Sequence, residues 1–191
     1  MPDAAASVLA PWANFSVLTG SAAAALTGLM FVVITIVTGT ERTSRNPDGI
    51  STFSTPTVAH FGAALLVAAM LSAPWPSLDY PAALLGLTGL YGVVYVYRLM
   101  HRARRLSSYN PDLEDWAWYT VLPFVSYGAI LAGAIMLPVK PGTAPFALAA
   151  GILLLIFIGI HNAWDVVTYL AIEQGAEPPV EASPPDPAVN P

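Results

Sequence analysis

The chain has 191 residues, of which 55% are hydrophobic and 10% charged, with a formal net charge of −5 and a mean hydropathy of +0.61. That composition lies outside the soluble globular range and makes a lipid bilayer the solvent of the fold. The absence of cysteine excludes disulfides, thiolate metal sites, iron–sulfur ligation and c-type haem attachment, and the lack of a basic domain excludes a nucleic-acid role.

Five apolar runs, at about 14–38, 55–72, 82–100, 116–137 and 145–170, fill most of the chain. A crossing needs about 20 residues of helix for about 30 Å of hydrocarbon, and continuous rather than alternating apolarity favours helices over barrel strands. The fold class predicted is all-α: a polytopic integral membrane protein with five transmembrane helices in a domain over 14–173. Residues 1–13 read as a short extracytoplasmic segment. They carry no basic residue before the first run, so no cleaved signal peptide is expected and the first run stays as an anchor.

The first run carries Ser16, Gly20, Ala24 and Gly28 at strict four-residue spacing, a nearly flat face that another helix can approach closely. A polar connection follows, with a turn at Asn46-Pro47-Asp48-Gly49. Thr55 and Pro56 then read as the N-cap and first helical residue of the second run. It ends near Ser72, before Pro74-Trp75-Pro76, where the indole suits the membrane interface.

The third run contains Gly86, Gly89 and Gly92, and Tyr91, Tyr95 and Tyr97, whose expected use is packing and whose alternative is to line a cavity. After it come Arg102, Arg104 and Arg105, and then Asn110-Pro111 as a second cap-and-proline start. Trp116, Trp118 and Tyr119 read as an interfacial belt at the head of the fourth run, which Pro123 is predicted to kink. The fifth run starts at Pro145. Residues 174–191, rich in Pro, Glu, Ala and Ser, read as a disordered cytoplasmic tail.

Arg42 and Arg45 lie between the first two runs, and Arg98, Arg102, Arg104 and Arg105 at the junction of the third and fourth; Lys140 alone falls on the other side. Short positively charged loops face the cytoplasm, so the N-terminus is predicted outside and the C-terminus cytoplasmic. The Arg102, Arg104, Arg105 group reads as this topology signal, with an anionic-lipid contact as the alternative.

Leu26-Thr27-Gly28-Leu29 with Val32-Val33 matches Leu87-Thr88-Gly89-Leu90 with Val93-Val94. Phe61-Gly62-Ala63-Ala64-Leu65 matches Tyr127-Gly128-Ala129-Ile130-Leu131. Two tandem hairpins in one orientation plus an added fifth helix would produce this order; a small apolar alphabet matching itself is the competing explanation.

Ionisable groups inside a span cost about 2.5–3.5 kcal/mol on insertion scales, so they face protein or water. His60 in the second run and His161 in the fifth fall at similar depth by residue count. His161, Asp165 and Thr168 share one helix face, and Asn162 is placed to meet Asp165. A carboxylate that orients an imidazole fixes its tautomer or supports it as a metal ligand. Asp165, opposed by the helix dipole at that end, calls for His161, His60 or Arg98 as a partner. His60, His161, Asn162, Asp165, Thr168 and Arg98 are therefore the candidate polar relay, and His60 with His161 the candidate haem b or metal ligands, although no cofactor at all is the simpler expectation. The competing reading puts Asp165 at the headgroups, Trp164 and Tyr169 in a belt, and His161 hydrogen-bonded within the bundle. No catalytic signature is present, and an enzymatic role is not expected.

Gly28-Leu29-Met30-Phe31-Val32-Val33, Ala73-Pro74-Trp75 and Ile160-His161-Asn162-Ala163-Trp164-Asp165 together resemble a group of small multi-pass bacterial membrane proteins. The resemblance implies a bacterial inner-membrane setting and carries no activity with it. The function expected is a non-enzymatic subunit, assembly factor or modulator that packs with itself or a larger membrane complex. The alternatives are a proton-linked transporter or channel subunit built on the His/Asp/Asn cluster, and a haem b or metal-binding protein.

Overall fold

The computed structural model describes residues 3–38, 47–103 and 116–175, with side-chain surroundings for 5–35, 56–101, 116–165, 167 and 168. The connection bearing Arg42 and Arg45, the side chains of Arg102, Arg104 and Arg105, the Asn110-Pro111 start and the tail from 176 lie outside what is described.

Every described regular element is helical. A short α1 (Asp3–Leu9) passes through a 3-10 turn (Ala10–Trp12) into α2 (Ala13–Thr38). Then come α3 (Pro47–Ser72) and α4 (Asp79–Ala103). A π-helical turn (Ala117–Val121) leads into α5 (Leu122–Met136), and α6 (Ala144–Gly175) closes the order.

Four helices among the described residues are long and apolar enough to cross a bilayer: Ala5–Thr35, Asp79–His101, Ala117–Met136 and Ala144–Asp165. The second apolar run is the exception to the five expected. Its described apolar part, Pro56–Ser72, is shorter than a full crossing, although α3 as a helix has 26 residues.

Several boundaries differ from expectation, each for a local reason. Residues 3–12 are helical rather than a plain terminal segment, because Ala5 and Leu9 have apolar surface to bury. Thr55 does not cap α3: the helix is already formed over Pro47–Ser72, so Thr55 and Pro56 both sit inside it. Helix α4 starts at Asp79 rather than Ala82 because Ser77 Oγ accepts the Asp79 N–H at 3.2 Å and donates to its carboxylate at 2.8 Å. Ahead of Pro123 the backbone widens into the π turn, which closes with the Leu122 N–H on the Ala117 carbonyl. Proline thus sits at the start of α5, where its missing N–H matters least. At the other end of α3, Pro74 and Pro76 stop the helix, and the Trp75 indole N–H bonds the Met70 carbonyl at 2.6 Å.

Packing runs as a chain of neighbours: α2 lies along α3, α4 along α5, and α6 between α3 and α5. Helix α6 is the hub. Its most apolar stretch is 56% buried against 22–33% for those of the other three long apolar helices, and Leu148, Ile152, Leu155 and Ile158 are fully covered. Near the start of α6, Trp12 packs edge-on against Phe146 (4.8 Å) and Phe15 (5.8 Å), tying the heads of α2 and α6 together.

Two hairpins flanking a fifth helix is the arrangement a tandem repeat would produce. Ala68 and Ala134, each seven residues past the matched Phe61 and Tyr127, both oppose a glycine of the preceding helix, Gly20 and Gly86. The matched Gly28 and Gly89 behave differently. A Cβ on Gly89 would collide with the Leu131 backbone at 2.7 Å, whereas one on Gly28 would meet nothing within 4 Å.

Candidate functional site

The candidate residues separate into two groups. The first forms around Tyr127 of α5. His60 of α3 is 3% exposed, and its Nδ1 lies 3.1 Å from the Tyr127 hydroxyl, a bond between residues 67 apart in sequence. The other face of the phenol ring lies directly on Gly92 of α4, where any Cβ would overlap ring carbons. Tyr127 therefore ties α3 to α4 through one side chain, and glycine at 92 is what admits it.

Beside this bond lies a cleft of about 230 Å³ between α3 and α4. Ala59, Gly62 and Ala63 form one wall, Tyr91 and Tyr95 the other, and Tyr127 the base. Tyr91 and Tyr95 thus take the cavity-lining role that was the alternative for them. Tyr97 points elsewhere and stacks on His101 with centroids 6.3 Å apart.

The second group sits on the last turns of the apolar stretch Ala144–Asp165 of α6. His161 Nε2 is 3.3 Å from Asp165 Oδ2 across one helical turn, with the two side chains 24% and 43% exposed. The imidazole lies flat on the Trp118 indole, centroids 3.8 Å apart and planes within 16°. Indole on one side and carboxylate at one nitrogen fix the ring's orientation. Sequence spacing signals the His161–Asp165 pair; it misses Trp118, which reads only as one member of a belt.

The other candidates do not join this pair. Thr168 Oγ bonds back to the Trp164 and Asp165 carbonyls at 2.9 and 3.1 Å. Arg98 is exposed, and no described residue pairs with it. Asn162 is fully buried one turn past Gly159, the glycine that receives the Phe61 ring from α3. Neither of its amide atoms has a hydrogen-bond partner among the described residues.

His60 and His161 have separate partners, and no hydrogen bond, ion pair or ring contact joins them. Axial ligation of one haem requires both imidazoles to aim at one point, and these are held by Tyr127 and by Trp118 with Asp165. Among the described residues no set of three or more His, Asp or Glu side chains is gathered for a metal ion. The cleft is walled by phenols and small residues and does not include His161, Asn162 or Asp165.

Fold and site together define a helical protein with bilayer-compatible helices and a phenol-lined cleft beside a buried His–Tyr bond. Comparison with protein-family models, with characterised proteins and with solved structures gives no match.

Proposed function

We propose that this chain is a five-crossing integral membrane protein of the bacterial inner membrane, with its N-terminus outside and its C-terminus cytoplasmic. It acts as a non-enzymatic subunit, assembly factor or modulator by packing with further copies of itself or with a larger membrane complex. Arg102, Arg104 and Arg105 then face the anionic cytoplasmic leaflet.

The observation that carries this reading is the outer face of α2. Ser21, Ala24, Ala25 and Gly28 all lie exposed there, and the space over Gly28 is open. In hydrocarbon, helices associate through close backbone approach rather than through a hydrophobic drive, and faces of small residues permit that approach. The other face of the same helix is already used: a Cβ on Gly20 would meet the Ala68 methyl at 3.2 Å.

The test is purification in a mild detergent followed by a mass measurement. A particle heavier than the 20.1 kDa chain, reduced towards it by Gly28→Leu, supports the proposal. A monomer with no co-purifying protein contradicts it.

A further inference from the structure

The cleft between α3 and α4 has walls that ordinary helix packing does not explain. Tyr91 lies twelve residues from Asp79 and ten from His101 in the apolar stretch Asp79–His101. At about 1.5 Å per residue its Cα is about 15 Å or more from either end. A phenol normally sits at the membrane interface, where its hydroxyl reaches water. Tyr91 is 75% exposed at the middle of the stretch instead.

Tyr95, one turn further on, presents its phenol to the same cleft. Neither hydroxyl has a hydrogen-bond partner among the described residues. Both line the same cleft as Tyr127. Leaving hydroxyls unpaired in hydrocarbon is costly. A plain acyl chain in the cleft would leave that cost in place, whereas a carbonyl oxygen would remove it by accepting the two phenol O–H groups.

The size of the cleft narrows the ligand further. An apolar cavity of about 150 Å³ takes a benzene ring, so the 230 Å³ here takes one substituted ring and little more. Tyrosine faces on one wall suit a flat ring, and Gly62 opposite leaves room for it, since nothing lies within 4 Å of the position a Cβ would take there. The cleft opens between two helices at mid-depth, so its ligand arrives from the lipid phase.

We propose that the α3–α4 cleft binds the head of a quinone-type lipid, a flat ring whose carbonyl oxygens accept hydrogen bonds from Tyr91 and Tyr95. Tyr127, held by His60, forms the base on which the ring rests.

The test uses the full chain in phosphatidylcholine nanodiscs with a photoreactive azido-benzoquinone bearing one isoprene unit. A phosphatidylcholine with a photoreactive acyl chain is the second probe. Saturable quinone labelling of the segments around Gly62 and Tyr91, displaced by the unlabelled quinone, is expected. The Tyr91→Phe/Tyr95→Phe double variant keeps the shape and removes the hydroxyls, and it is expected to weaken quinone binding about tenfold or more. Gly62→Leu places a side chain in the cleft from a position where a Cβ meets nothing within 4 Å, and it is expected to abolish binding. Non-saturable labelling, unchanged quinone affinity in the double Phe variant, or equal occupancy by the acyl probe in both proteins overturns the proposal.

Discussion

Tyr127 is the residue on which the interior contacts converge, and its neighbours make its contribution measurable. Removing the hydroxyl in Tyr127→Phe leaves a buried imidazole nitrogen unpaired, which costs about 1–3 kcal/mol. His60→Leu removes the other partner. The double variant is expected to lose less than the sum of the two single losses, because the pair is removed together; additive losses in a thermal or denaturant unfolding cycle would show that the bond contributes nothing. Asn162 gives the opposite expectation. Both amide atoms are buried without a partner among the described residues, so Asn162→Leu should leave stability unchanged or raise it. A loss above about 1 kcal/mol would mean that the amide is satisfied in the membrane after all. The sequence makes one of these contacts readable and hides the other. His161 and Asp165 meet because one helical turn brings them together, a local rule. Tyr127 meets His60 across 67 residues, and only packing of three helices decides that.

At the scale of elements, helix existence is set by long apolar runs, while their ends are set by chemistry that periodicity does not carry. The Ser77–Asp79 cap moves the start of α4 outward, and the π turn gives Pro123 a place near a helix start. The prolines of α3 carry an ambiguous signal. Pro47 reads as part of a turn and Pro56 as a first helical position, and only the backbone shows that the helix runs through both. The glycines of the two matched segments make the clearest test of packing. Gly89→Ala drives a methyl into the Leu131 backbone, so an overpacking loss of about 1–3 kcal/mol is expected. Gly28→Ala meets open space and should not destabilise the monomer, since alanine also favours the helix. Equal unfolding midpoints for the two variants would contradict the packing of α4 on α5.

For the whole molecule, α6 as hub between α3 and α5 explains why the fifth run is the most apolar and the most covered. It also explains why α3 matters beyond its length. Helix α3 carries His60 and one wall of the cleft, and it is the helix whose described apolar part falls short of a crossing. Five crossings place the connections after α2 and α4 on one side and those after α3 and α5 on the other. Four crossings, with α3 not traversing, would put both ends of α3 on the same side. The native chain has no cysteine, so single introduced thiols report sidedness without background. The decisive measurement is labelling of Ser44→Cys, Pro76→Cys, Ser107→Cys and Thr143→Cys variants by a membrane-impermeant maleimide, in intact cells and after permeabilisation. Five crossings require residues 76 and 143 to react in intact cells and residues 44 and 107 only after permeabilisation. Reaction of residues 44 and 76 from the same side would contradict the account.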